Sequence, residues 1–153
     1  MDAGEAMRLN RALTKMSKLY RAARARRLAA LGLHPGQDVL LWHLAQERDG
    51  MTISELAARL GVEQPTATRS LARLEKSGYF RREPVATDRR QVRIVLLDRG
   101  HALLPAVERA WSELAEEAMG QVSAPDREIA IGALEQAIAN LRRIIGDDVL
   151  TEE

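Results

Sequence analysis

Three observations predict a mainly α-helical protein with one small antiparallel β wing. The 153 residues are 46% hydrophobic but only 3% aromatic, and this composition favours a helical core of Ala, Leu, Ile and Val. Apolar residues recur at steps of three and four over most of the chain, which is the helical period. One stretch departs from this pattern: residues 92–97, VRIVLL, are apolar and β-branched enough to predict a strand.

The first predicted helix is long, amphipathic and basic, and it ends near Leu31 and Gly32. Its apolar stripe is Leu9, Leu13, Met16, Tyr20 and Ala23, while Arg8, Arg11, Lys15 and Lys18 occupy another side. The basic side has three interpretations: a solvated face, a contact with acidic helices near the C-terminus, or the lining of an anionic ligand site. One small module cannot bury a helix of this length, so we expect a second copy of the chain to cover it.

The second predicted helix opens at His34-Pro35 and ends at Asp49-Gly50. It is apolar on more than one side, which indicates wide burial. Trp42 in this helix is either a core residue or the wall of a ligand pocket.

Residues 52–78 predict two short helices across a tight turn. Thr52 and Glu55 form a capping box that starts the first of them, and Gly61 ends it. Pro65 suits the first turn of the next helix, which begins near Gln64 and stops at Gly78. This is the helix-turn-helix pattern.

The second of these helices has two chemically different sides. Ala67, Leu71 and Leu74 face the core at steps of four and three, which leaves Thr66, Arg69, Ser70 and Arg73 on the other side. Arginine can bond guanine O6 and N7 together, and Thr and Ser can contact bases or phosphates. The outward side therefore predicts insertion into a DNA major groove.

A hairpin follows, in which residues 92–97 pair back on residues 80–84 around a loop from Val85 to Gln91. Its tip, Thr87-Asp88-Arg89-Arg90, carries two guanidiniums that suit a narrow minor groove. The alternative is an ordinary solvated charged turn. Because the hairpin follows the basic helix just described, we favour the DNA interpretation, and the module is predicted to be a winged helix-turn-helix.

Two further helices complete the chain. Asp98 is expected to cap the first, with Pro105 bending or delaying its first turn. Ser123 and Asp126 start the second, whose apolar stripe ends near Ile145, and residues 147–153 should fray. These helices have more apolar surface than one chain can bury. With the first helix they are expected to form a dimerisation region.

The segment LAARLGVEQPTATRSLARLEKSGYFRR, followed by Asp88-x-Arg90, resembles the MarR family of bacterial regulators. The Glu63-Gln64-Pro65 and Asp88-Arg89-Arg90 segments look most like its SlyA branch. The resemblance covers nearly the whole chain in order, although the flanking helices match only in pattern. One departure is Leu97-Asp98, where the family commonly has Leu-Thr, but Asp caps a helix as well as Thr does.

The resemblance implies a single MarR-type domain over 1–153, with a winged helix-turn-helix at 34–97 and a dimerisation region at 5–32 and 98–146. It also implies a homodimer that binds duplex DNA at a pseudopalindromic operator as a repressor or counter-silencer. A small aromatic or phenolic ligand is expected to release this homodimer from the DNA. The expected DNA-binding residues are Pro65, Thr66, Thr68, Arg69, Ser70, Arg73, Asp88, Arg89 and Arg90. The expected ligand walls are Tyr20, Trp42, His43 and Trp111.

Charge is segregated along the chain although the net charge is only +1. Residues 8–27 carry eight basic and no acidic side chains, residues 52–100 carry ten basic and six acidic, and residues 101–153 carry four basic and eleven acidic. The middle is thus basic where DNA would lie. The two ends are opposite in sign and would neutralise each other if they packed together.

Several function classes are not supported by the sequence. We expect no enzyme, cofactor or metal site, because no nucleophile elbow, phosphate-binding glycine loop or metal-ligand spacing occurs. The chain has no cysteine, which excludes disulfides and a thiol switch for peroxide. No apolar run is long enough to cross a membrane, and we expect a cytoplasmic protein. The remaining alternative is a winged-helix module that binds another protein.

Overall fold

The computed structural model describes residues 1–85 and 88–145, without the side chains of residues 88–90 and 145. Over these residues the helices and strands follow the order α1 (Ala3–Ala30), α2 (Gln37–Ala45), β1 (Met51–Thr52), α3 (Ile53–Leu60), α4 (Gln64–Glu75), β2 (Phe80–Val85), β3 (Asp88–Leu96), α5 (Asp98–Met119) and α6 (Ala124–Ile145). The predicted fold class, mainly α with a small antiparallel wing, is confirmed. Among the described helices, none is long and apolar enough to cross a membrane.

The sheet has three antiparallel strands in the order β1-β3-β2. The wing hairpin pairs Phe80 with Leu96 at its base and Pro84 with Val92 further out. Pro84 is tolerated because β2 is an edge strand, where one side of the ladder needs no N–H donor. The two-residue strand β1 adds to the other side of β3 through the pair Met51 and Ile94, and the sequence did not predict it.

The wing strands are longer than the sequence predicts. A loop was expected from Val85 to Gln91, but Val85 is the last residue of β2 and pairs with Asp88, the first residue of β3. Charged side chains do not end a backbone ladder in an exposed hairpin, because both faces of the strands can be solvated there. Thr87, at the expected tip, lies outside the described residues.

The start of α2 also differs from the prediction. His34-Pro35 belongs to a turn, and the helix begins at Gln37, with Gly36 as its N-cap at a φ of 90°. The Gln37 side chain accepts the backbone N–H of His34 at 2.9 Å, which stabilises this turn. The helix ends at Ala45 rather than at Asp49-Gly50. Gly50 instead turns the chain against β3, where a side chain would collide with the Ile94 carbonyl.

The N-cap of α5 lies one residue before the expected one. Leu97 is the N-cap and Asp98 is the first helical residue, where its negative charge still favours the positive end of the helix dipole. Pro105 lies inside the helix and does not delay its start. Its ring nitrogen has no N–H to bond the carbonyl of His101, four residues earlier.

The hydrophobic core lies between the winged module, the end of α1 and the middle of α5. Its buried members are Leu28, Leu33, Leu40, Leu41, Leu44, Met51, Leu56, Leu71, Leu74, Phe80, Ile94, Leu96 and Val107. Within α1 only Leu28 is buried. The core therefore closes around the winged module and leaves most of the first helix outside it.

The long helices expose the apolar stripes that the sequence predicts. Leu9, Leu13 and Met16 of α1 are between 44% and 47% exposed. In α6, Leu134, Ile138 and Leu141 are between 51% and 54% exposed, and Ile129 is 70% exposed. None of the side chains described in residues 124–144 is buried.

Candidate nucleic-acid interface

The turn between α3 and α4 is built from local signals. The Thr52 N–H donates to the Glu55 carboxylate at 2.7 Å, and the Glu55 N–H donates to the Thr52 hydroxyl oxygen at 3.2 Å, which completes the predicted capping box. The pKa of Glu55 is lowered, first by the backbone N–H of Thr52 and then by its hydroxyl. Gly61 ends α3 at a φ of 66°, a conformation that glycine adopts without strain.

The buried side of α4 fixes the orientation of the helix. Ala67 and Leu71 have no exposed surface and Leu74 is 1% exposed, as the apolar spacing predicts. These three side chains hold one face of α4 in the core, so the opposite face must look outward.

The outward face of α4 is centred on its arginines. Arg69 and Arg73 are exposed, as are Pro65 and Thr68, whereas Thr66 and Ser70 are half-buried at the edges of this face. The Thr68 hydroxyl donates to the Gln64 carbonyl at 2.8 Å within its own helix. The sequence therefore placed these residues on the correct side of α4 but did not separate its centre from its edges.

Arg69 and Arg73 differ from several other arginines of the winged module, including Arg59 and Arg81. Among the side chains that the structure describes, neither forms an ion pair or a side-chain hydrogen bond with another residue. By contrast, Arg59 pairs with Glu47 and Arg81 with Glu83. Two guanidiniums without internal partners on one exposed helix face are suited to an external anion.

The base of the wing is fastened to the rest of the module by two arginines that the sequence analysis did not single out. Arg82 pairs with Glu75, the last residue of α4, at 2.9 Å. Arg93 donates to the carbonyls of Asp49 and Gly50 at 3.2 and 3.4 Å. These bonds tie β2 to the end of α4 and β3 to the turn between α2 and β1. The backbone of Asp88, Arg89 and Arg90 belongs to β3, while their side chains lie outside the described part of the chain.

A second polar cluster joins the winged module to the long helices, and it was missed by sequence reasoning. Asp38 of α2 has no exposed surface, and its carboxylate accepts hydrogen bonds from Arg24 of α1 and Trp111 of α5. The available signal was a carboxylate in the first turn of an otherwise apolar helix. Arg24 could not be singled out among eight basic residues of α1.

The expected ligand walls are partly brought together. The rings of Trp42 and Trp111 lie 6.4 Å apart between centroids at 59°, and Trp42 meets His43 edge-on at 5.2 Å. Burial lowers the pKa of His43, and Arg59 lowers it further. Ring contacts among the described residues do not include Tyr20, which is 38% exposed on α1.

Two cavities in the described part of the chain have linings that do not include these aromatic rings. One of about 230 Å³ lies between α1 and α5 and is lined by Arg27, Ala30, Leu31, Ala106, Arg109, Ala110 and Glu113. The other, of about 360 Å³, is lined by Glu47, Gly50, Met51, Glu55, Ala58, Arg59 and Arg93. The charged groups of the second cavity are already bonded: Arg59 pairs with Glu47, the Glu55 carboxylate accepts the Thr52 N–H, and Arg93 donates to the Asp49 carbonyl.

Residues 33–92 match the model of the MarR family. The crystal structure of transcriptional regulator PA3341 is 34% identical to the chain, covering 88% of this chain and 98% of that one with a TM-score of 0.69.

Two structures determined with DNA share the fold at lower identity. Sco3205, a MarR family transcriptional regulator from Streptomyces coelicolor in complex with DNA, is 22% identical, with a TM-score of 0.84 over 99% of this chain and 95% of that one. A mutant of MarR from E. coli complexed with operator DNA is 22% identical, with a TM-score of 0.76 over 90% of this chain and 99% of that one.

Proposed function

The chain belongs to the MarR family of transcriptional regulators, and we propose that it binds duplex DNA as a homodimer and regulates transcription from a pseudopalindromic operator. The observation that carries this proposal is the exposed face of α4. Arg69 and Arg73 lie on it without partners among the described residues, while Ala67, Leu71 and Leu74 hold the opposite face in the core. The structures of Sco3205 and MarR with DNA support this use of the fold.

Within this face we assign different tasks to the two arginines. Arg69 is nearer the N-terminal end of α4, which enters deepest into a major groove, and it reads bases together with Thr66. Arg73 lies one turn further along and contacts phosphates, which positions the helix. Pro65, Thr68 and Ser70 complete the proposed contact surface.

The wing is the second proposed DNA contact. Asp88, Arg89 and Arg90 follow the hairpin tip, and we assign Arg90 to the minor groove, oriented by Asp88, with Arg89 on phosphate or on its own subunit. Support comes from the anchoring of the wing base through Arg82 and Arg93, because an anchored hairpin holds its tip at a defined distance from α4.

The homodimer is proposed from the exposed stripes of α1 and α6. A second copy would cover Leu13, Leu134 and Leu141, each about half exposed in one chain. Charge supports the same arrangement, since residues 8–27 are basic and residues 101–153 are mainly acidic. Within one chain Arg27 of α1 already pairs with Glu117 of α5, which favours contact with acidic helices over a purely solvated face.

Three finer points belong to the same proposal. The regulator acts as a repressor or counter-silencer, it is of the SlyA type on the strength of Glu63-Gln64-Pro65 and Asp88-Arg89-Arg90, and it works in the cytoplasm.

A small aromatic or phenolic effector binds beside Trp42, His43, Trp111 and Tyr20. The cluster of Trp42, His43 and Trp111 supports this location, and titration of tryptophan fluorescence with salicylate, followed by DNA affinity at saturation, tests it.

Selection of bound DNA from a random pool tests the main proposal. We expect a recovered palindrome whose half-site spacing reports the separation of the two α4 helices. Binding to that site should fall steeply as salt rises, because Lys and Arg contacts to phosphate release counterions. A pool without any enriched motif, together with salt-independent binding, would favour a winged-helix module that binds another protein and has no enzymatic role.

A further inference from the structure

Asp38 uses both oxygens of its buried carboxylate. Oδ2 accepts from Arg24 Nε at 3.0 Å, from Arg24 Nη2 at 2.7 Å and from Trp111 Nε1 at 2.7 Å. Oδ1 accepts the backbone N–H of Gly36 at 3.0 Å. The carboxylate is fully buried and the Arg24 side chain is 26% exposed. Four directional bonds thus define the position of this one side chain.

The three side chains come from three different helices. Arg24 belongs to α1, Asp38 to α2 and Trp111 to α5. Helix α2 packs on α3, α4 and β3 of the winged module and also on α5. Helix α1 carries one of the two exposed apolar stripes. The cluster therefore lies where the winged module meets the proposed dimerisation helices.

Stability alone does not account for a charged group at this place. Burying a carboxylate and a guanidinium costs several kcal/mol of desolvation, and apolar side chains of similar size often stabilise a core equally well. What hydrogen bonds add is direction, since they weaken steeply when their angle changes. Apolar packing between Trp42 and Trp111 would permit small rotations that the bond from Trp111 to Asp38 resists.

We propose that Asp38 is a positioning residue that fixes the angle between the winged module and helices α1 and α5. In a homodimer this angle sets the distance between the two α4 helices and hence the half-site spacing that the protein accepts. The inference rests on the proposed homodimeric DNA binding. Asp38 does not touch DNA in this scheme, and it acts through Arg24 and Trp111.

Distance measurement by electron spin resonance tests the inference without DNA. The chain has no cysteine, so an Ala72→Cys substitution on the exposed side of α4 gives one spin label per subunit. We expect one narrow distance distribution between the two labels. Asp38→Asn and Trp111→Phe should each broaden it, because the first removes the charge of the carboxylate and the second removes the indole N–H donor while keeping an aromatic ring at this position.

Glu47→Gln is the matched control. Glu47 also pairs with an arginine, Arg59, but that pair is exposed and lies away from α1 and α5. This variant should keep the narrow distribution. If Asp38→Asn fails to fold, Trp111→Phe carries the test, since it keeps an aromatic side chain at position 111 and leaves the residues of the bond between Arg24 and Asp38 unchanged.

DNA affinity provides the second readout, on operators whose half-sites are moved apart or together by one base pair. Asp38→Asn and Trp111→Phe should lose about 2- to 30-fold on the preferred spacing, less on the altered spacings, and little on an isolated half-site. Equal losses on the half-site and the full operator, with an unchanged label distance, would overturn the inference. A monomeric wild type would overturn it too. Broadened distances in a dimer without DNA binding would uphold Asp38 and refute the proposed function.

Discussion

The two groups of arginines in this protein, on α4 and at the end of α1, have opposite environments. Arg69 and Arg73 are exposed and unpaired among the described residues. Arg24 and Arg27 are mostly covered and pair with Asp38 and Glu117. Both groups look alike in sequence, as basic residues on amphipathic helices. An arginine therefore indicates an external partner only when no group of its own chain pairs with it.

The same contrast extends to apolar surface. The winged module closes its core within one chain, with Leu40, Leu71 and Ile94 fully buried. Helices α1 and α6 leave their leucines about half exposed. Apolar residues that are buried within one chain should determine its folding. Apolar residues that remain exposed in one chain should determine its association with a second copy.

Removing α6 tests this division with the largest expected effect. Deletion of Ser123 to Glu153 should abolish the dimer and impair folding or solubility, because it strips one exposed apolar stripe and uncovers its partner. Sedimentation gives the mass of the truncated chain and circular dichroism gives its helix content. A well-folded monomeric truncation would contradict the expected loss of folding or solubility, and a folded dimer would refute the role of α6 in association.

A matched pair of leucine substitutions compares the two regions directly. Leu71→Ala should lower the free energy of unfolding by about 2–5 kcal/mol, the usual cost of a cavity in a packed core. Leu141→Ala, at a side chain that is 54% exposed, should instead raise the dimer dissociation constant. Chemical denaturation and sedimentation measure these quantities. The comparison fails if Leu141→Ala leaves the dissociation constant unchanged.

The success of sequence reasoning depended on whether the relevant signals were local. The bounds of α3 and the start of α4 followed from Thr52, Glu55, Gly61 and Pro65, which act within a turn of their own position. The end of α4 was predicted at Gly78, but the helix already ends at Glu75. The predicted start of α2 was wrong, because Pro35 lies in a turn before the helix and Gly36 is its N-cap. The preference of proline for the first turn of a helix does not reveal this competing turn.

Features that depend on distant residues were not predictable. Strand β1 has two residues and exists through pairing with Ile94 and Arg93. Asp38 is fixed by Arg24 and by Trp111, which lies 73 residues away in sequence. No periodicity encodes such contacts. By contrast, the exposed stripes of α1 and α6 follow directly from helical spacing, because the period determines which residues share a face.

Substitutions of the two exposed arginines on α4 should change DNA affinity by an intermediate amount. Arg69→Ala should cost about 1–3 kcal/mol on the preferred operator and relax its sequence preference. Arg73→Ala should weaken operator and random DNA alike, because phosphates carry no sequence information. Affinity for both DNAs at one salt concentration distinguishes the two. Equal losses for Arg69→Ala on operator and random DNA would contradict its assignment to bases.

The smallest expected effect concerns the wing, where two neighbouring arginines should behave differently. Successive side chains of a strand point to opposite sides, so Arg89 and Arg90 cannot make the same contact. With Arg90 in the minor groove, Arg90→Ala should weaken binding more at A·T-rich flanks than at G·C-rich ones. A narrow A·T minor groove concentrates the negative potential that attracts a guanidinium.

Operators that differ only in their flanks, measured at one salt concentration, separate the possible roles of the wing. Asp88→Ala should give a milder form of the Arg90→Ala defect, because it keeps the guanidinium and removes only its orientation. Arg89→Ala is the internal control and should reduce affinity equally on both flanks. A flank-dependent loss in Arg89→Ala alone would reverse the two assignments. If neither variant depends on the flank, the hairpin is structural and α4 alone supplies the specific contact.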